Sequence, residues 1–460
     1  RKFQVRVRAT GALVALAGLC LLTCAQAFES SLPGAAPTAP VRMRVWGFEV
    51  YDAQLWVTAG FEAQRQNFAA VWPWRMERLA RAARAFATDA NPQRQADFAA
   101  FCTSHVQWLD NYALFMSLAE HFHWKDWCEW EGGLAQRTPA AMDAARAQHA
   151  ERIAFWKFCQ WRFFTQWLRL RAYANQRGIQ IVGDAPIFIA YQSAEVWARQ
   201  DLFDLNPDGR PRVVAGVPPD YFSATGQRWG NPMYLWSAHA NEGYAWWIER
   251  IRRTFELVDI VRIDHFRGFA SYWEVPASEP TAMKGQWLPG PGAPLFNAIH
   301  AALGPLAIIA EDLGEITPDV EALRRQFAFP GMRILQFAFG DDSTNNFLPH
   351  RHQNDTVVYT GTHDNDTTIG WWKSASDKER QYLRDYLGVD GSDVHWDLIR
   401  AACASVADTA IHPMQDILGL DTEHRMNFPG TATGNWGWRF TWSMMPQDAA
   451  ARLRRYGQLY

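Results

Sequence analysis

Six short apolar stretches recur from residue 178 onward, and most of them are separated by segments with helical periodicity. Strands that are apolar on both faces have to be covered on both faces, and their alternation with helices is typical of a parallel sheet. No glycine-rich phosphate-binding motif follows any of them, which disfavours nucleotide binding. The pattern therefore predicts an α/β fold in residues 178–460, as a barrel or a doubly wound sheet. The six stretches are IQIVGD (179–184), VDIVRI (258–263), LAIIAE (306–311), MRILQF (332–337), TVVYTG (356–361) and DTAIHPM (408–414).

The chain before residue 178 has a different character. Residues 68–177 are rich in alanine, arginine and aromatic residues at helical spacing, which predicts a helical subdomain. Residues 1–27 combine a basic start, an apolar run and an Ala-Gln-Ala sequence, which is typical of a secretory signal peptide; an amphipathic or buried helix is the alternative. The apolar run is too short to span a bilayer. Residues 28–67 read as a proline-rich linker and a short β-rich segment, with one or two strands in 42–57.

Composition excludes several classes of function. The 460 residues carry a formal net charge of −3, so no basic face for a nucleic acid is indicated. The six cysteines form no Cys-x-x-Cys pair and no cluster with histidine at zinc-ligand spacing. Neither a disulfide framework nor a metal site is predicted. Most of the 24 tryptophans are interpreted as core residues, with sugar-stacking surfaces as the alternative for some of them.

Carboxylates occur at or shortly after the ends of several of these stretches. Asp264, Glu311 and Asp364 would converge if the sheet closes into a barrel, because the carboxyl ends of all its strands share one rim. Grouped carboxylates repel one another, so a cation or a reaction must need them. Cleavage of a glycosidic bond uses one carboxylate nucleophile and one carboxylic acid. Arg262, on the same strand face as Asp264, would keep that aspartate ionised. On spacing alone, the cation and the glycoside interpretations both stay open.

Longer motifs narrow the choice, because they are specific in combination and in their order. They are GDAPIFIAYQSAEVWA (183–198), AGVPPDYFSATGQRWGNPMYLW (215–236), VRIDHFRGF (261–269), IIAEDLG (308–314), YTGTHDNDTTIGWW (359–372) and PMQDILGLDTEHRMNFPGTATGNWGWRF (413–440). With these motifs the chain from about residue 68 to 460 resembles the 4-α-glucanotransferases, or amylomaltases, of glycoside hydrolase family 77 in the α-amylase clan. The resemblance implies a TIM-type (β/α)8 barrel with a helical insertion, and no cofactor. It also implies transfer of α-1,4-glucan segments between maltooligosaccharides by a retaining double displacement.

The resemblance assigns roles to the three acidic residues. Asp264 corresponds to the nucleophile and Glu311 to the general acid and base. Asp364 corresponds to the third acid, which binds the 2- and 3-hydroxyl groups of the sugar at subsite −1. A loop over 227–232 corresponds to the donor-binding loop, with Trp229 as a candidate stacking surface. The substrate-binding residues implied in this way are Arg262, His363, Asp184, Gln227, Trp229, Asn231 and Pro232.

The first part of the chain departs from the family. The family begins with two barrel strands that carry motifs of the HPTSLPG and WQxLPL types, and this sequence has neither. Residues 42–57 resemble instead the opening of exported chalcone isomerase-like proteins. Six barrel strands are counted where eight are needed, so the barrel is predicted to be incomplete, as in a fused or truncated gene.

Three functions are compatible with these features. A glucan-transferring enzyme is the leading hypothesis, and an α-glucan hydrolase or an inactive glucan-binding remnant are the alternatives. The expected partners are maltooligosaccharides and a glucose acceptor, without a nucleic acid or a membrane span. Members of the resembled family act in the cytoplasm, whereas the signal-like residues 1–27 argue for export.

Overall fold

The computed structural model describes residues 35–37, 41–45, 48–53, 56–58, 68–89, 91–219, 223–431 and 433–460, with only the backbone described before residue 68. The strands are β1 Ala35–Pro37, β2 Val41–Val45, β3 Phe48–Ala53, β4 Trp56–Thr58, β5 Val182–Pro186, β6 Val213–Val217, β7 Gln227–Pro232, β8 Ile260–Asp264, β9 Ser271–Pro276, β10 Gln286–Pro289, β11 Ile308–Ala310, β12 Gly331–Ile334, β13 Thr356–Tyr359 and β14 Thr409–Ile411. The helices are α1 Phe68–Ala87, α2 Pro92–Ser104, α3 Val106–His121, α4 Pro139–Gln148, α5 Ala150–Asn175, α6 Ala194–Ala198, α7 Trp236–Asn241, α8 Ala245–Leu257, α9 Gly292–Leu303, α10 Pro318–Gln326, α11 Thr368–Ser374, α12 Asp377–Leu387, α13 Val394–Cys403, α14 Met414–Ile417 and α15 Ala449–Leu459.

The chain forms two compact units. One unit is Arg75–Met332, and the other is Arg333–Tyr460 with the described part of Arg1–Trp74. The predicted domain boundaries at residues 28, 68 and 178 stay predictions.

Two sheets organise the unit Arg75–Met332. The parallel sheet has the order β11-β8-β5, and the middle residues of its central strand β8, Val261, Arg262 and Ile263, are buried. The antiparallel sheet has the order β10-β9-β6-β7, and Val214 of β6 and Val275 of β9 are buried together in its core. The second edge of β5 has no strand partner among the described residues.

Helix α5 is attached by side-chain hydrogen bonds to the segment that leads into β8 of the parallel sheet. Arg171 on α5 donates to Oδ1 of Asp259, just before β8, from Nε and Nη2 at 2.9 and 2.8 Å. Trp167 donates from Nε1 to the carbonyl of Leu257 at 2.6 Å. Two N–H groups of one planar guanidinium thus bond to the same carboxylate oxygen, and these charge-assisted bonds fix α5 against the start of β8. The helices expected in 68–177 are confirmed.

A sheet of order β12-β13-β14 organises the other unit, and β13 is buried along its whole length. Its apolar cover comes from helices that begin and end as their sequences predict. Helix α12 starts with a capping box in which Ser376 and Glu379 each bond the other's backbone, and it ends at Gly388 in the left-handed region. The fully buried side chains Leu335, Phe339, Val358, Leu383 and Leu398 form the centre of this core.

The six stretches of the sequence correspond to β5, β8, β11, β12, β13 and β14, so the predicted α/β rhythm is confirmed. The prediction of strands in 42–57 is also confirmed, because β2 pairs with β3 as an antiparallel hairpin. The signal-like residues 1–27 lie outside the described residues. None of the helices in the described part of the chain is both long and apolar enough to cross a membrane.

Candidate active site

Two of the predicted acids lie side by side at the carboxyl ends of neighbouring strands. Parallel pairing places Ile263 of β8 opposite Ala310 of β11, so Asp264 and Glu311 are the next residues in register. The amide of Glu311 donates to the carbonyl of Ile263 at 3.0 Å, which continues the pairing to this point. Neighbouring strands lie about 4.8 Å apart, so side chains in register on one face are close enough to act on the same bond.

Arg262 connects the acid of β8 with that of β5. Its Nη1 donates to both carboxylate oxygens of Asp184, at 2.8 and 2.9 Å, and its Nη2 lies 2.9 Å from Oδ1 of Asp264. Burial lowers the pKa of Arg262, but the nearby carboxylates of Asp184, Asp264 and Glu311 outweigh burial and raise the pKa above its usual value. The guanidinium is therefore a permanent positive charge between two anions. Because Arg262 already supplies a positive charge to both aspartates, their grouping does not call for a metal ion, which argues against the cation interpretation.

Glu311 has a different environment from Asp264. Its Oε2 accepts the backbone N–H of His265 at 2.7 Å, and its Oε1 accepts that of Leu313 at 2.9 Å. Burial raises the pKa of Glu311 to about 7; Arg262 and these two amides oppose that rise, whereas Asp264 adds to it. Asp264 is thus paired with a cation, whereas the neighbouring Glu311 is protonated up to about neutral pH. This difference is characteristic of acid and base pairs in catalysis.

The loop predicted to bind the donor forms strand β7 beside these acids. The Trp229 side chain is 38 % exposed, its Nε1 donates to Oε1 of Gln227 at 3.2 Å, and its ring meets the ring of His265 edge-on at 4.8 Å between centroids. Asn231 donates from Nδ2 to the carbonyl of Ile189 at 2.9 Å. Pro232 is the last residue of β7 and pairs with Val214 of β6.

The remaining predicted residues, Asp364 and His363, lie in the other compact unit. The Asp364 carboxylate is about half exposed; its Oδ1 accepts Nδ2 of Asn427 at 2.6 Å, and its Oδ2 lies 3.5 Å from Nε2 of His363. Arg425 donates to the backbone carbonyl of Asp364 at 2.6 Å. The ring of Trp436, which is 52 % exposed, lies 5.1 Å from that of His363. The segment after α14 thus holds Asp364 in place.

Sequence reasoning assigned no role to three residues that contact predicted site residues of their own unit. His265 directly follows Asp264, and Asn427 and Trp436 occur in the last of the long motifs. Their positions in those motifs were a usable signal. Their partners were not visible in it, because Asn427 is 63 residues from Asp364 along the chain.

Comparison with known proteins extends these observations. A family model described as 4-alpha-glucanotransferase (glycoside hydrolase family 77) matches residues 47–445. Curated 4-alpha-glucanotransferases of Thermus thermophilus and Synechocystis are 47 % and 48 % identical to this chain over 403 and 404 residues; these alignments cover 86 % and 87 % of the chain, and 81 % and 80 % of the relatives. The solved structure of an amylomaltase from Streptococcus agalactiae in complex with acarbose superposes with a TM-score of 0.83 at 36 % identity, covering 86 % of this chain and 80 % of that one.

The parallel α/β sheet and its likeness to an amylomaltase define a carbohydrate-active enzyme of the transferase class. The likeness to an amylomaltase also confirms the predicted α/β fold class. The match of the family model over most of the chain makes the assignment more specific: the chain belongs to the 4-α-glucanotransferase family, glycoside hydrolase family 77. The match begins at residue 47, inside the segment that was predicted to be foreign to the family.

Proposed function

We propose that this protein transfers α-1,4-glucan segments between maltooligosaccharides through a covalent glycosyl-enzyme, with Asp264 as nucleophile and Glu311 as general acid and base. One observation carries the proposal. The two carboxyl groups stand in register on neighbouring strands, and their surroundings keep one paired with Arg262 and the other protonated. Retaining enzymes require carboxyl groups about 5–5.5 Å apart, which neighbouring strands can supply.

The first half of the reaction breaks the glycosidic bond. The Glu311 carboxyl gives its proton to the glycosidic oxygen while an Asp264 oxygen attacks the anomeric carbon. The leaving glucan departs as an alcohol, and the donor sugar stays on Asp264 as an ester. Two features support this step: the buried Glu311 is protonated up to about pH 7, and Arg262 holds the Asp264 carboxylate 2.9 Å away in one orientation.

The second half transfers the sugar to an acceptor. Glu311, now a carboxylate, takes the proton of the acceptor's 4-hydroxyl group as that oxygen attacks the anomeric carbon of the glycosyl ester. The bond to Asp264 breaks, and both residues return to their starting states. Two inversions at the same carbon give net retention.

Binding roles complete the proposal. The half-exposed ring of Trp229 offers an apolar face on which a sugar ring of the donor can stack. For Asp364 we propose contact with sugar hydroxyl groups; its partly exposed carboxylate, oriented by Asn427, supports that role. For Asp184 we propose orientation of Arg262. Acarbose in the Streptococcus agalactiae amylomaltase is consistent with an α-glucan as substrate here. As in the resembled family, we propose action in the cytoplasm.

The products formed from maltotriose distinguish the possible activities. We expect purified protein to release glucose together with maltooligosaccharides longer than maltotriose, because the glycosyl-enzyme is intercepted by a second glucan. Chromatography of the products over time measures this. Products that are only shorter than maltotriose would establish a hydrolase, and calorimetric binding without turnover would establish an inactive glucan-binding protein.

The pH profile should report the protonation of Glu311. Since this residue has to be protonated for the first half, kcat/KM for maltotriose should fall about tenfold per pH unit above pH 7. The same group affects stability. The folded-state pKa of Glu311, about 7, lies above its ordinary value of 4.5. The contribution of this group to the free energy of unfolding is therefore fully present below about pH 4.5 and is lost as the pH rises through 7.

Replacement of Glu311 by glutamine separates this effect from other titrations. The Glu311→Gln variant cannot ionise, so its Tm relative to the original protein should increase from pH 5 to pH 8, by an amount corresponding to on the order of 2–3 kcal/mol. Melting curves at both pH values measure the difference. A constant difference in Tm would contradict the assignment of a near-neutral pKa to Glu311.

A further inference from the structure

His265 has an unusual backbone conformation at the centre of the candidate site. Its φ and ψ angles are 52° and 50°, in the left-handed region that residues with a side chain rarely adopt. It lies between Asp264 and a 3-10 turn over Phe266–Phe269. Such conformations cost free energy and concentrate at functional sites, where the surrounding structure holds them in place.

This conformation directs two successive amides at one residue. The N–H of His265 donates to Oε2 of Glu311 at 2.7 Å, and the N–H of Phe266 donates to the backbone carbonyl of Glu311 at 3.1 Å. An extended residue at position 265 would turn consecutive amides to opposite sides of the strand. The left-handed residue is therefore what allows β8 to hold both the side chain and the backbone of Glu311.

The imidazole ring of His265 is fixed by packing. The edge-on contact with Trp229 has an interplanar angle of 90°. On the other side the ring lies over Gly268, where an added Cβ would be 3.2 Å from Cδ2 of His265 and 2.8 Å from Cδ1 of Ile187. The absence of a side chain at 268 thus provides the space that the ring occupies.

Hydrogen bonding at Nε2 does not explain the position of the ring. The Nε2 atom of His265 is buried and has no hydrogen-bond partner among the described residues. Burial, together with the charge of Arg267, lowers the pKa of His265 to about 3, so the ring is neutral at neutral pH. It acts as an aromatic body between Trp229 and Gly268.

We propose that His265 is a positioning residue that couples the sugar-stacking ring of Trp229 to the carboxyl group of Glu311. A sugar seated on Trp229 presses that ring against His265, and the left-handed backbone of His265 holds the Glu311 carboxyl toward the glycosidic oxygen. The inference deepens the proposed function and rests on it, because it requires Glu311 to be the proton donor.

The test uses two donors that differ in their need for Glu311. Maltotriose requires proton transfer in both halves of the reaction. α-Maltosyl fluoride with added azide requires it in neither, because fluoride leaves without a proton and azide attacks without a base. We expect His265→Gly, which keeps the backbone unstrained but removes the ring, to lower kcat on maltotriose about 30-fold with KM within about twofold. With the fluoride and azide its rate should stay within about threefold of the original enzyme.

Glu311→Ala distinguishes the failure of this inference from that of the proposed function. If Glu311→Ala is inactive on the fluoride with azide, Glu311 is not the acid and base, and the proposed function fails. If Glu311→Ala is active there but His265→Gly is not, His265 does not act through Glu311 and the coupling is overturned. The coupling is likewise overturned if His265→Gly lowers kcat equally on both donors.

Three further variants test whether packing is the means of coupling. His265→Phe keeps a ring against Trp229 without its nitrogens and should retain kcat within about threefold, whereas a loss as large as that of His265→Gly would overturn the packing argument. Gly268→Ala leaves both rings in the chain but narrows the space for one of them, and should lower kcat on maltotriose in the same selective way. Combining His265→Gly with Trp229→Ala should lower kcat no further than the larger single effect; additive losses would show that the two rings act independently.

Discussion

Asp264→Asn should abolish transfer, with kcat on maltotriose reduced at least about 10³-fold, while the protein stays folded. The amide is uncharged and a poor nucleophile, so the ester with the donor sugar cannot form. It nevertheless fills the same space at the end of β8, and its oxygen can still accept a hydrogen bond from Arg262. Initial rates of glucose release and a melting curve on the same preparation measure the two quantities.

Asp184→Asn is the matched control. Both aspartates bind the guanidinium of Arg262, and their side chains are similarly exposed, at 47 % and 44 % for Asp184 and Asp264. Only Asp264 is in register with Glu311. We expect Asp184→Asn to lose about tenfold in kcat, and a loss equal to that of Asp264→Asn would contradict the nucleophile assignment.

Trapping of the covalent intermediate tests the same assignment directly. When the Glu311→Gln variant is given α-maltosyl fluoride, mass spectrometry should find the trapped sugar on the peptide that contains residue 264.

Arg262→Leu should have the second largest effect, on stability as well as on activity. The substitution leaves the carboxylates of Asp184 and Asp264 side by side with Glu311 and without their cation. Removing one partner of a buried ion pair costs about 3–5 kcal/mol; since both aspartates keep roughly half of their exposure to solvent, about 2–3 kcal/mol is expected here. The kcat should fall at least about 10²-fold, because the nucleophile loses the contact that orients it. Denaturant unfolding and initial rates measure these changes.

Arg262→Lys separates charge from geometry. Lysine retains the positive charge but cannot bond two carboxylates through one planar fork. We expect it to recover most of the lost stability and little of the lost kcat. If lysine restored both, the fork geometry of Arg262 would be unimportant and charge alone would explain its presence.

Strands β5, β8, β11, β12, β13 and β14 could be predicted from the sequence because they are short apolar stretches, most of them separated by segments with helical periodicity. The helix over 377–387 is an example, since its capping box and its final glycine are both local signals. Register between strands is not local. The opposition of Asp184 and Arg262 across β5 and β8 depends on packing of the whole sheet, so the sequence indicated the ion pair with Asp264 but not the shared arginine.

The candidate site shows the same division. Asp264 and Glu311 follow apolar strands, which predicted their proximity from fold rules alone. The left-handed backbone of His265 could not be predicted, because it depends on contacts with Trp229 and Gly268 that fold together only in three dimensions. For the same reason, the amides that hold Glu311 leave no sequence pattern.

The row formed by Asp184, Arg262 and Ile309 across three parallel strands limits how this chain can change in length. Side chains alternate between the two faces of a strand, so inserting or deleting one residue within β5 or β8 would turn one member of the ion pair to the opposite face. Exposed connections such as 340–344 carry no such restriction. Evolution and engineering can therefore lengthen the surface segments of this enzyme freely, whereas its short strands tolerate substitution but not a change in residue number.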